Sequence, residues 1–271
     1  MDISTIKNAF LFNDDGGVIS LVGAGGKTSL MFRLAHGFSR AGAPTLSTTT
    51  TKIKMPSPEQ SSRVILADSL EEIIDGAKKS APQCLHLSAG TRRPLSRYEK
   101  LGGFPPETID QLKKKGPFQW IIVESDGAAM KPLKAPAPHE PVTPASSGWV
   151  IGVIGLKNVG KPLNKRNLFR PELFSQITGL KMEQPISEES VAISIAHDMG
   201  IMKGSPDGAI KIAFLNMADD PAQLETGRRI AFALKEMTSL ASPVHRVIIG
   251  NALGHPLVVE CHDVSALPAS N

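Results

Sequence analysis

The aliphatic run Val18-Ile19-Ser20-Leu21-Val22 stops at a glycine-rich turn, Gly23-Ala24-Gly25-Gly26, which carries Lys27 and Thr28. An amphipathic run follows, with Leu30, Met31, Leu34, Ala35 and Phe38 on one helical face. Strand, glycine loop and helix in that order predict a phosphate-binding loop. Glycines let backbone N–H groups curl around an anion without Cβ clashes, and a helix N-terminus adds partial positive charge. Lys27 is expected to reach the outer phosphates as a point charge, and the Thr28 hydroxyl to ligate Mg²⁺. Gly23, Ala24, Gly25, Gly26, Lys27, Thr28 and Ser29 form the expected nucleotide-binding set. The longer Walker pattern would need a glycine where this chain has Leu21, so the motif is the shorter Gly-x-x-Gly-Lys-Thr.

The chain has 271 residues, of which 41% are hydrophobic, enough to bury a large core in one α/β domain. A net charge of +4 suits a small anionic ligand. The charges do not cluster as a nucleic-acid partner would require, and Lys113-Lys114-Lys115 reads as a solvated helix end. Cys84 and Cys261 make neither a metal spacing nor a disulfide framework. No export signal is visible, and no apolar run reaches the ~18 residues of a membrane span, so a cytoplasmic protein without a membrane partner is expected.

Short apolar stretches at 17–22, 44–49, 63–66, 83–88, 119–124, 148–155, 210–215 and 244–249 read as strands. Helical patterns at 28–41, 69–79, 105–115, 171–178, 187–199 and 221–238 lie between them. This alternation predicts an α/β fold of the P-loop NTPase type, a mostly parallel sheet with helices on both faces. Ligands of such sheets sit at the carboxyl ends of the strands, where the 23–28 loop falls.

The second predicted strand runs into Thr48-Thr49-Thr50-Thr51-Lys52. Hydroxyls at such a carboxyl end can ligate Mg²⁺ or bond phosphate, and Thr49 is the metal candidate among them. Residues 88–104 read as a loop whose Arg92 and Arg93 are weaker anion candidates. Trp120-Ile121-Ile122-Val123-Glu124-Ser125-Asp126 is an apolar strand ending in acids, the Walker B arrangement. Glu124 and Asp126, two apart, point to the same face of an extended chain. With Thr28 they predict a Mg²⁺ site, and Lys27, Glu124 and Asp126 are the expected catalytic residues.

Five prolines between 132 and 144 forbid helix, so 127–147 is expected to be an extended, stiff loop. With Lys131, Lys134, His139 and Glu140 on it, the segment reads either as a lid or substrate-recognition loop or as a rigid crossover. Gly160-Lys161 is no second phosphate loop, because Pro162 stands where Ser or Thr is needed. Beyond the strand at 210–215, Asn216 and Asp219 stand at the spacing of Asn-Lys-x-Asp, with which GTPases read guanine. Met217 takes the lysine's place, but a methionine can pack on a base, so Asn216 and Asp219 join the expected nucleotide-binding residues and Asp219 is the candidate guanine reader. Residues 262–271 read as a disordered tail.

Four stretches occur in order: Gly23 to Thr28; Thr48 to Ile53; Glu124 to Ala128 with Lys131-Pro132-Leu133-Lys134; and Gly160-Lys161-Pro162-Leu163-Asn164 with Arg170-Pro171-Glu172-Leu173-Phe174. Together they resemble the YqeC family, accessory proteins of selenium-dependent molybdenum hydroxylases, over roughly residues 10–250. Phe169 stands where that pattern has His. The resemblance implies a part in making or inserting the selenium of those enzymes, with a client hydroxylase or a selenium donor as partner. The short loop is also similar to that of Mur-type ligases. Three functions follow: a Mg²⁺-dependent NTPase using ATP or GTP as a maturation factor; a small-molecule kinase or Mur-like ligase; or a nucleotide-binding scaffold without turnover.

Overall fold

The computed structural model describes residues 3–80, 84–92, 100–237 and 244–267. The chain opens with α1 (Ile3–Phe10), β1 (Gly17–Gly23) and α2 (Lys27–Arg40). Then come β2 (Thr45–Thr49), β3 (Lys52–Lys54), β4 (Val64–Leu66), α3 (Leu70–Ser80), β5 (His86–Arg92), β6 (Lys100–Gly102) and α4 (Pro106–Lys115). β7 (Trp120–Glu124) and β8 (Ser147–Gly155) follow, then α5 (Pro171–Thr178), α6 (Glu188–Ala196), β9 (Ile210–Asn216), α7 (Pro221–Glu236), β10 (Arg246–Gly250) and β11 (Val258–Asp263). The strands share one sheet in the order β11-β10-β9-β8-β1-β7-β2-β5-β6-β3, with β4 beside β5. From β10 to β5 every pairing is parallel, and only β11, β6 and β3 join antiparallel. No helix among the described residues is long and apolar enough to cross a membrane.

The central strands are buried on both faces because successive side chains alternate between them. On β7, Trp120 and Ile122 join the core under α1 and α2, while Ile121 and Val123 join the one under α3 and α4. On β9, Ile212 and Phe214 share the α1–α2 side, and Ala213 and Leu215 pack with α5 to α7. Both tryptophans sit in the first core. There Phe38 stacks on Trp120 at 4.3 Å between centroids, and Phe12 lies 5.5 Å from Trp149. The helices start where the sequence dictates. Ser187 caps α6, and Asp220, just before Pro221, accepts from the Gln223 N–H at 2.8 Å to cap α7.

The sheet of helix-flanked parallel strands is the expected fold class, but some elements fall outside the sequence reading. α1 was not anticipated: Ile3, Ile6 and Phe10 make only two turns of pattern. The expected loop at 88–104 contains strands. Gly90, Thr91 and Arg92 extend β5, and a Cβ on Gly90 would meet the Leu101 side chain at 2.4 Å and the Gly102 carbonyl oxygen at 2.6 Å. Small residues there mark close strand approach, not a turn. Arg93 lies outside the described residues. β3 has one buried residue, Ile53, between exposed lysines, too short for periodicity to reveal. At the other end, β11 takes in 262 and 263 from the stretch expected as tail, and residues 268–271 lie outside the description. Cys84 precedes β5 instead of lying within a strand, and its thiol donates to the His86 carbonyl at 2.8 Å.

His86 is buried on β5, hydrogen-bonded through Nε2 to the Ser47 hydroxyl, with the His36 ring 5.4 Å away. Burial, then the neighbouring His36, push its pKa down to about 4. Its folded-state pKa lies below its unfolded value, so the unfolded chain binds the extra proton between those two pH values. Stability is therefore complete above pH 6.5 and is lost as pH falls toward 4, by roughly 3 kcal/mol. Denaturant unfolding from pH 7 to 4 should show this slope, and His86→Asn should flatten it. An unchanged slope in the variant would reject the assignment.

Candidate functional site

β1 delivers the chain to the carboxyl edge of the sheet, and three glycines then turn it into α2. Gly23, Gly25 and Gly26 have φ of +88°, +88° and +119°, which L side chains rarely adopt. The loop is also hemmed in. A Cβ on Gly25 would lie 2.5 Å from both the Gly155 nitrogen and the Pro132 oxygen, and one on Gly26 would lie 2.2 Å from Asn216 Nδ2. Gly26 caps α2 without a side-chain hydrogen bond, and the first N–H groups of any helix lack an intrahelical acceptor, which suits this end of α2 to an anion.

Lys27 is buried at 3% exposure. Its Nζ donates to the Gly23 carbonyl at 2.7 Å and stands 3.1 Å from Asp126 Oδ1 and 3.7 Å from Glu124 Oε1. The carboxylates arrive on β7 and its exit, beside β1 in a register that sets Leu21 against Glu124. Thr28 Oγ1 donates to Glu124 Oε2 at 2.7 Å, and Asp126 Oδ2 accepts from the Gly23 N–H at 3.0 Å. The strand spacing thus brings together Lys27, Thr28, Glu124 and Asp126, as the motifs predict.

Burial alone would favour neutral Lys27, but Asp126 and Glu124 outweigh it and raise the ammonium's pKa. Burial raises Glu124 in turn, and Lys27 and the Thr28 hydroxyl only partly offset this. A carboxylate with a raised pKa is the better proton acceptor at neutral pH.

Asp126 Oδ1 is buried and has no hydrogen-bond donor, since Lys27 approaches it at ion-pair distance without the alignment of a hydrogen bond. This oxygen, the Thr28 hydroxyl and Glu124 make an all-oxygen set that fits Mg²⁺, a hard cation content with one or two carboxylates beside phosphate oxygens and waters. Among the described residues no cluster of three or more His, Cys, Asp or Glu forms a complete cage.

Other expected site residues lie elsewhere. Thr49 is buried with its hydroxyl donating to the Glu124 carbonyl at 2.7 Å and accepting from the Thr51 N–H, a commitment that holds the strand end and leaves it out of the metal set. Asn216 uses both amide atoms within the protein: Nδ2 donates to the Gly25 carbonyl at 2.7 Å, and Oδ1 accepts from the Ala252 N–H at 2.8 Å. It braces the loop. Asp219 stands farther along the edge, with Oδ2 3.0 Å from Lys157 Nζ and Oδ1 bonded by the Asn251 amide.

The residue the sequence reading undervalued is Lys134. It is not displayed on a recognition loop: its side chain is fully buried, and Nζ reaches Asp126 Oδ2 at 2.8 Å, the Gly127 carbonyl at 2.7 Å and Glu140 Oε2 at 2.6 Å. Arg170 closes the chain with a two-pronged contact to Glu140 at 2.6 and 3.0 Å. Burial would raise the Glu140 carboxyl, but hydrogen bonds from Arg170 and Lys134 overcome it and hold the pKa near about 2. Charges therefore alternate from Lys27 through Asp126, Lys134 and Glu140 to Arg170. The sequence signal was Lys134 lying eight residues beyond Asp126 in an apolar context.

Fold and site together define an α/β protein of the P-loop type, with a strand–glycine-loop–helix unit facing an acid-tipped neighbouring strand. The family model described as YqeC protein matches residues 19–172. A relative from Escherichia coli (strain K12), described as uncharacterized protein YqeC, is 35% identical over 201 residues, covering 73% of this chain and 75% of its own. The chain belongs to the YqeC family. Among solved structures, FtsY from Mycoplasma mycoides aligns over 97% of this chain and 72% of its own, at 12% identity and a TM-score of 0.37.

Proposed function

We propose that this protein binds ATP or GTP with Mg²⁺ at Gly23 to Ser29, hydrolyses it, and uses the cycle as an accessory factor in maturation or selenium insertion of selenium-dependent molybdenum hydroxylases. The observation that carries the nucleotide reading is Lys27, an ammonium buried between Glu124 and Asp126 at the foot of a glycine loop. The pathway reading is supported by membership of the YqeC family and the resemblance of its motifs.

In this reading the loop N–H groups bind the phosphates, and Lys27 exchanges the Gly23 carbonyl for a phosphate oxygen. Thr28 and Asp126 would hold Mg²⁺, which would supply positive charge against the transferring phosphoryl group. Glu124 orients the attacking water and accepts its proton. Asn216 keeps the loop in shape from behind.

Calorimetric titration of ATP and GTP with and without Mg²⁺, together with phosphate release, tests this. Asp126→Asn should weaken the Mg²⁺-dependent part of binding by roughly tenfold or more and spare the metal-free part. An equal loss under both conditions would assign Asp126 a folding role instead. Binding without phosphate release would overturn hydrolysis and leave a scaffold.

A further inference from the structure

We propose that Asp219 reads the base of the bound nucleotide and selects guanine, with Lys157 supplying the cationic stem that position 217 lacks. The inference rests on the nucleotide reading of the 23–29 loop. In the sheet, β8 and then β9 lie beside β1, so the end of β9 is two strand spacings from the phosphate loop, about 10 Å. That matches the distance from the phosphates through a ribose to a base edge. Asn216 makes the link physical, because one amide group touches the phosphate loop at Gly25 and the turn after β10 at Ala252.

Asp219 follows three residues later on the same carboxyl edge. Two other strand exits meet it there: Lys157, from the short turn after β8, and Asn251, from the turn after β10. Each carboxylate oxygen takes one protein donor, and an ionised carboxylate accepts about four hydrogen bonds, so acceptor sites remain on both oxygens. Guanine presents two adjacent donors, its ring N1–H and its 2-amino group, which match a carboxylate. Adenine presents the N1 lone pair and C2–H on that edge, which a carboxylate repels. Met217 stands where the sequence pattern would put a lysine, and the ammonium arrives instead from the neighbouring strand with half of its side chain exposed. The sequence could not reveal this, because Lys157 and Asp219 are far apart along the chain.

The test uses the full chain with Mg²⁺ and four nucleotides: GTP, ATP, ITP, which lacks the 2-amino group, and XTP, which has a carbonyl there. GTP should bind roughly tenfold tighter than ITP and at least about a hundredfold tighter than ATP. Asp219→Asn replaces one acceptor by a donor, so it should lose GTP affinity by about tenfold or more and gain affinity for XTP. Its melting temperature should barely move, since the Lys157 pair is exposed. A structural role would not produce the gain for XTP. Equal affinity of the parent for GTP and ATP, or parallel shifts for all four nucleotides in Asp219→Asn, overturns the base assignment alone. If none of the four binds, the phosphate site and this inference fall together.

Discussion

Lys27→Ala should bind nucleotide tenfold to more than a hundredfold more weakly than the parent, a loss of about 1.5–3 kcal/mol for one charge-assisted contact to phosphate. The effect should be the same for ATP and GTP, because Lys27 serves the phosphates and not the base. The substitution also removes the cation from between Glu124 and Asp126. Glu124, whose pKa burial already raises, should then hold its proton at higher pH still. Calorimetry settles the binding, and a variant that binds every nucleotide as well as the parent would end the phosphate-loop reading. In a hydroxylase maturation assay, Lys27→Ala should fail to complement a strain lacking the protein. A Cys84→Ser/Cys261→Ser variant should succeed, because nucleotide-dependent contact needs no thiol to carry selenium. The opposite pattern would move the chemistry to a cysteine.

The second large effect belongs to Lys134→Ala. Removing this buried ammonium leaves Asp126 without its shortest hydrogen bond and Glu140 with Arg170 as its remaining ion-pair partner, and breaking a buried ion pair from one side costs about 3–5 kcal/mol. Denaturant unfolding at pH 7 should show this as a lower midpoint with an unchanged slope. Adding Glu140→Gln to Lys134→Ala should cost less than the sum of the two single changes, because the pair shares partners. Full additivity, or a loss under about 1 kcal/mol, would show that the alternating charges are not one unit.

The contrast between Lys27 and Lys134 shows what a sequence can carry. Lys27 was legible because its chemistry depends on a local pattern, glycines before it and a helix after, and the backbone alone brings Thr28 alongside. Glu124 and Asp126 were legible because strand periodicity fixes their common face. Lys134 was not, since its role depends on Glu140 and Arg170, which reach it through a segment without periodic structure. Thr49 misled for a related reason. A threonine at a strand end offers its hydroxyl to a ligand or to its own backbone, and only the pairing of β2 with β7 shows that the Glu124 carbonyl takes it. In the fold, regular β-branched strands announced themselves, whereas the second half of β5 hid behind small residues and β11 behind polar ones suited to a sheet edge.

The proline-rich stretch between β7 and β8 has a further meaning as a problem in donors and acceptors. It leaves the sheet beside β1 on one side and returns on the other without a helix to pair its peptide groups. A packed strap of that kind would strand unpaired N–H groups, which are costly. Pro136, Pro138, Pro141 and Pro144 have no N–H to strand. Four of the carbonyls draw on cationic side chains: Lys134 serves Gly127, Lys203 serves Ala137 and Pro138 at 2.8 and 2.9 Å, and Arg170 reaches toward Ala135. Proline content and basic residues are thus two halves of one solution. Replacing one of these prolines with alanine would add a backbone donor to the strap, and a buried donor needs an acceptor.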